Sequence, residues 1–135
     1  MLCVSWNPSY DLGIDEIDRQ HRFLFEIMDR LCQAINIGKG PYVIGHILDE
    51  LAGYAKVHFE TEEKYFSDFS YKKAKVHIKE HNDFHKKIET LRLALEDGKS
   101  GVSGKTIVFL AKWFEDHVSK HDREYITCFR ENGVC

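Results

Sequence analysis

The chain has 135 residues, 43% of them hydrophobic and 30% charged, with a formal net charge of −3. That is enough apolar material for one packed domain beneath a well-solvated surface. It leaves no basic footprint for nucleic acid, and no apolar run approaches the roughly 20 residues that cross a membrane.

The opening "MLCVSWNPSYDLG" lacks the basic-then-apolar pattern of a secretory leader, so a cytoplasmic address is expected. Residues 1–14 read as an N-terminal arm that Trp6 and Tyr10 can pin to the rest. Cys3, Cys32, Cys128 and Cys135 show no metal-type spacing and are expected as free thiols in that compartment.

Four segments carry apolar residues at three- and four-residue steps, and no alternating strand pattern occurs. The first predicted helix spans about 15–37, with the stripe Ile17, His21, Leu24, Met28, Leu31 and Ile35. "NIGKGP" stops it, and Pro41 suits the first turn of a second helix over about 41–66. That helix carries Ile44, Leu48, Leu51, Ala55, His58 and Glu62 on one face. A third, about 71–96, aligns Ala74, His77, His81, Phe84, Ile88, Leu91 and Leu95. After the loop "EDGKSGVSG", Ser103 is the expected N-cap of a fourth helix over about 104–129, which begins its stripe with Ile107, Leu110, Phe114 and His117. Short loops between long amphipathic helices imply an all-α fold: an antiparallel up-down-up-down four-helix bundle, with 1–135 as a single domain.

The histidines fall on the buried stripes. A lone buried histidine usually means a hydrogen-bonded core residue, and a His–Glu pair at i,i+4 usually marks a solvated face. Here His21, His58, Glu62, His77, His81 and His117 lie on apolar stripes of four different helices. Burying so many polar groups without a partner would consume much of a domain's stability of about 5–15 kcal/mol. A shared metal removes that objection, and imidazoles with carboxylates suit iron, zinc or copper. More donors point inward than one ion can take.

The fourth helix contains a slip. One turn after His117 comes His121, yet the later stripe of Ile126 and Phe129 lines up with Asp122. A single π-type turn between 117 and 122 would bring both His117 and Asp122 inward and displace His121 outward. His46 and His85 are expected to be solvated, as are "KKAK" (72–75) and "HKK" (85–87). Phe23, Phe25, Phe59, Trp113 and Phe114 are expected to pack in the core or between helices.

Taken together, "LGIDEIDRQHRFLFEIMDRL" (12–31), "HFETEE" (58–63), "HIKEH" (77–81) and "HVSKHD" (117–122) resemble the hemerythrin motifs, in family order and over nearly the whole chain. Trp6 and "KWFEDH" strengthen the likeness to single-domain prokaryotic members. The resemblance implies two non-haem Fe ions with an oxo or hydroxo bridge and reversible O2 binding. By the same resemblance His77, His81 and His117 would hold one iron, His21 and His58 the other, and Glu62 and Asp122 would bridge them. O2 would bind end-on at the two-histidine iron, take two electrons from the pair and receive the bridge proton. Phe114 departs from the pattern, being bulky where family members often carry an aliphatic residue. A di-iron enzyme handling peroxide or nitric oxide is the competing expectation. It is disfavoured because no Glu-x-x-His motif of the ferritin-like enzymes occurs. A signalling module acting through a protein partner is the third.

Overall fold

The computed structural model describes residues 3 and 5–135, apart from the side chain of Ser119. Helix α1 spans Asp15–Asn36, α2 Gly40–Asp68, α3 Ala74–Glu96 and α4 Val102–Trp113. The fourth rod then continues as a π stretch, Phe114–His121, a 3-10 turn, Asp122–Tyr125, and a short α5, Ile126–Glu131. No strand occurs among the described residues.

The hydrophobic residues form two clusters. One gathers Leu24, Leu31, Leu48, Leu51, Phe84, Leu110 and Phe114 with their neighbours. The other gathers Leu12, Ile14, Ile17, Phe66, Tyr125 and Phe129. Every rod runs from one cluster to the other. The first goes from Ile17 to Leu24, the second from Leu51 to Phe66, the third from the fringe at Ala74 to Phe84, and the fourth from Phe114 to Phe129. The direction reverses each time, which makes the bundle up-down-up-down. Between the clusters each rod contributes buried polar residues: His21; His58 and Glu62; His77 and His81; His117 and Asp122.

Helix ends differ from the sequence reading in two places. The fourth rod begins at Val102, after Gly101 with its left-handed φ of 76°. Ser103 therefore sits inside the helix, where it packs so closely on Gly40 that a Cβ there would come within 2.9 Å of its Oγ. A tertiary contact has taken the residue expected to cap. The third helix begins at Ala74 rather than Tyr71, because Ser70 adopts a φ of 51° and the chain turns before it can enter a helix.

The arm is held at several points. Trp6 packs edge-on against Phe25 at 5.5 Å, and Tyr10 against Phe114 at 4.9 Å. The Arg22 guanidinium lies 4.9 Å above the Trp6 ring and pairs with Asp11. At the entry to α1, the backbone N–H groups of Leu12 and Gly13 donate to the Asp18 carboxylate at 2.7 and 3.0 Å.

The expectation of four free thiols fails. Cys3 and Cys32 form a disulfide across 29 positions of sequence, and only Cys128 and Cys135 are free. The arm doubles back along α1 and brings Cys3 against the last turns of that helix, a meeting that Cys spacing cannot reveal. Phe23 also departs from expectation: it is 44% exposed on the outer face of α1. His46, His85 and the lysines of both basic tracts are exposed as expected.

Closing a loop of this length removes disorder from the unfolded chain. Reduction, or Cys32→Ser, is expected to lower the unfolding free energy by roughly 2–4 kcal/mol. Chemical denaturation with and without reductant reads this directly. Cys135→Ser, at an exposed free thiol, should leave the midpoint unchanged.

Candidate metal centre

The seven polar residues of the central layer are all buried. The π stretch makes this possible on the fourth rod. One residue more per turn places His117 and Asp122, five apart, on the same inward face. His121 is rotated out and keeps 41% of its side chain exposed.

Five imidazole Nε2 atoms converge on two carboxylates. Asp122 Oδ1 lies 2.7 Å from His77 Nε2 and 3.1 Å from His117 Nε2. Its other oxygen, Oδ2, lies 2.8 Å from His21 Nε2 and 3.7 Å from His58 Nε2. Glu62 Oε1 stands 3.1 Å from both His58 Nε2 and His81 Nε2, and Oε2 stands 3.7 Å from His77 Nε2. Asp122 thus turns one oxygen to each side of the layer, and Glu62 spans it.

These separations are short, yet most are not hydrogen bonds. Only His21 Nε2 to Asp122 Oδ2 has the required alignment. The Nε2 atoms of His58, His77, His81 and His117, both Glu62 oxygens and Asp122 Oδ1 are buried with no hydrogen-bond partner. Lone pairs crowded together and misaligned for one another suit cations placed between them. Besides the partly buried Glu80, His117 and His121, two groups have ligand atoms all within 4.8 Å of one another: Glu62, His77, His81 and His117, and His21, His58, Glu62 and Asp122. Glu62 belongs to both. The donor set therefore fits bound metal.

Outward from the layer, the Nδ1 atoms of three imidazoles are engaged. His58 Nδ1–H donates to Gln20 Oε1 at 2.6 Å, and Gln20 Nε2 in turn donates to Thr61 Oγ1 at 3.1 Å. His81 Nδ1–H donates to Glu63 at 3.0 Å. Glu80 accepts from both His117 Nδ1, at 2.5 Å, and His121 Nδ1, at 2.9 Å. Each bond fixes the tautomer that leaves Nε2 free to bind a metal. Aromatic rings fix the planes: Phe59 stacks on His81 at 3.8 Å, Trp113 on His117 at 4.1 Å and Tyr54 on His58 at 5.2 Å. Gln20, Glu63 and Glu80 carried no signal of their own in the sequence. Each sits one helical position away from, or across a helix interface from, the ligand-type residue it serves.

Burial, working against the charged forms, is overcome by the mutual attraction within the layer. Burial pushes His58 down, but Glu62 and Asp122 outweigh it and lift the imidazole to about 9. His77 is lifted to about 10, the nearby Asp122 and Glu62 carboxylates outweighing burial. His117 is raised as well. Burial pushes the Glu62 and Asp122 carboxyls up, and Asp122 pushes Glu62 the same way. The histidines nevertheless hold both carboxyls well below their ordinary range. Glu80 is brought to about 2, its bonds to His117 and His121 overcoming burial.

The hemerythrin HHE cation binding domain model matches residues 12–129. A bacteriohemerythrin from Clostridium acetobutylicum is 34% identical over 126 residues, covering 90% of this chain and 97% of that protein. One from Stenotrophomonas maltophilia is 28% identical over 125 residues, covering 93% and 80%. The fold superposes on a crystal structure of a hemerythrin leucine-to-alanine mutant with a TM-score of 0.83 at 26% identity, covering 95% of this chain and 98% of that one.

Two consequences follow from the raised imidazoles. In the metal-free protein their stabilising contribution is complete below the ordinary histidine value of 6.5 and fades as pH rises through about 9 to 10. The depressed carboxyls contribute above their ordinary values of 4.5 and 3.8, and that part is lost as pH falls. Denaturation of the metal-free chain should therefore become easier from about pH 6 to about pH 10. Metal addition at neutral pH should release protons, measurable in a weakly buffered titration, because Nε2 must be bare to ligate.

Proposed function

Because the chain belongs to the hemerythrin family, we propose that it binds O2 reversibly at a non-haem di-iron centre and serves storage, transport or sensing of O2 rather than catalysis. The observation that carries the reading is the asymmetry of the buried layer. Three imidazoles, His77, His81 and His117, cluster with one another around Glu62, and two, His21 and His58, cluster with Glu62 and Asp122. In this reading His77, His81 and His117 would hold one iron, His21 and His58 the other, and Glu62 and Asp122 would serve both. The His21/His58 set offers one imidazole fewer than the other, so a small ligand would be taken up on that side. Iron held there would supply the electrons that O2 takes up and returns on release.

The protein's own part is to hold the donors and exclude water. Phe25 lies one turn after His21 and Phe114 one turn before His117, their rings 5.7 Å apart. Trp6 and Tyr10 of the arm close over both. A dry wall slows protonation and loss of reduced oxygen, the step that would oxidise the centre irreversibly. With only two carboxylates in the layer, the centre favours binding over oxygen activation.

Neither a nucleic acid nor a membrane enters this reading. No helix of the described residues is long and apolar enough to cross a membrane. The cytoplasmic address expected from the sequence is set against the Cys3–Cys32 bond, since a reducing cytosol disfavours structural disulfides. Thiol trapping in intact cells decides between them.

The decisive measurement is a visible spectrum of the iron-loaded protein, reduced without air, exposed to O2 and then degassed. A band that appears with O2 and vanishes on degassing is the expected result. A band that decays irreversibly, or peroxide release, would move the function to a di-iron enzyme handling peroxide or nitric oxide, or to a redox signalling module acting through a partner. His77→Ala should reduce bound iron sharply, read as metal per chain. Unchanged iron content would remove His77 from the ligand set.

A further inference from the structure

Tyr54 is one helical turn before His58 on α2, and its ring lies nearly parallel to that imidazole, 18° apart. The side chain is 3% exposed, and its hydroxyl is buried with no hydrogen-bond partner among the described residues. A phenol in such a place normally has one. Phe59 and Phe84 flank the ring and offer no acceptor.

We propose that Tyr54 is a positioning residue: it donates a hydrogen bond to the small ligand taken up on the His21/His58 side of the centre, and so selects ligands that carry or acquire negative charge. The inference rests on the di-iron reading and deepens it. Other buried or half-buried donors do not fit the place. Tyr125 stands beside His77, its rings 5.7 Å apart, on the three-histidine side. Trp113 stacks on His117, on that same side. Trp6, whose Nε1 is also buried without a partner, belongs to the arm and packs on Phe25 and Phe114 rather than on a histidine of the layer. Tyr54 alone among these donors is stacked on a member of the two-histidine set.

A phenol whose buried hydroxyl finds no partner in the fold is a neutral donor with its O–H unspent. A neutral donor aimed at an anion forms a charge-assisted bond, stronger than one to a neutral ligand. Azide, or O2 that has gained electron density from the metals, would be held. A ligand that stays neutral would gain little.

The test compares the full-length iron-loaded wild type with Tyr54→Phe, using azide as the probe of the oxidised centre. Tyr54→Phe should keep its iron, bind azide about tenfold or more weakly by absorbance titration, and lose the shift of the azide stretching frequency that the wild type shows between H2O and D2O. In the metal-free state the variant should melt no lower than the wild type, since it removes a buried hydroxyl that lacks a partner. Unchanged azide affinity, or an isotope shift that survives the substitution, overturns the role of Tyr54 and leaves the di-iron reading standing. Loss of iron together with loss of a phenolate-to-iron band would make Tyr54 a ligand instead, which also overturns it. A wild type that takes up iron but binds neither azide nor O2 would overturn the underlying reading.

Discussion

Five imidazoles and two carboxylates are taken out of water in one layer, and the rest of the bundle is arranged around that fact. The groups stand within hydrogen-bonding range of each other but mostly out of alignment, so they cannot satisfy one another as hydrogen-bond partners. Left alone, they attract as charges, with His58, His77 and His117 lifted and both carboxyls depressed. Bound metal would resolve the same crowding by giving the lone pairs a target. The apolar clusters above and below isolate the layer from solvent and make that resolution matter energetically, since buried polar groups without partners are costly.

Geometry at the layer depends on one irregularity. A regular α-helix through the fourth rod would bring His121 to the inward face and carry Asp122 off it. The π stretch Phe114–His121 adds the residue needed to align Asp122 with His117. Glu80 then binds both His117 and His121, so the displaced histidine is tied to the same carboxylate that orients the inward one. The irregular turn and the bond that steadies it are parts of one arrangement.

Support for the layer comes from partners spread over the helices. Gln20 on α1 orients His58 on α2, Glu63 on α2 orients His81 on α3, and Glu80 on α3 orients His117 on the fourth rod. Each helix thus fixes an imidazole of the next. The bundle's order in space is written into these bonds, and a shift of any rod along its neighbour would misplace a nitrogen. The arm adds a further constraint: the disulfide and the Trp6 and Tyr10 contacts hold it over Phe25 and Phe114.

Periodicity in the sequence determined the four rods, their inward faces and the polar residues on those faces. Burial of apolar side chains forces a 3.6-residue period, and His21, His58, Glu62, His77, His81 and His117 fall in step with it. The slip between His117 and Ile126 even exposed the π turn, because a register error in the apolar stripe is visible along one strand of sequence. Contacts between distant segments had no such trace. Cys3 meeting Cys32, Ser103 packing on Gly40 instead of capping, Phe23 facing outward, and the partners Gln20, Glu63 and Glu80 all depend on how one rod sits against another. So does the orphaned hydroxyl of Tyr54, which reads in sequence as one more aromatic residue of α2. Helical period is a local property that each segment expresses alone, whereas these pairings exist only once the rods are docked in a particular rotation and register.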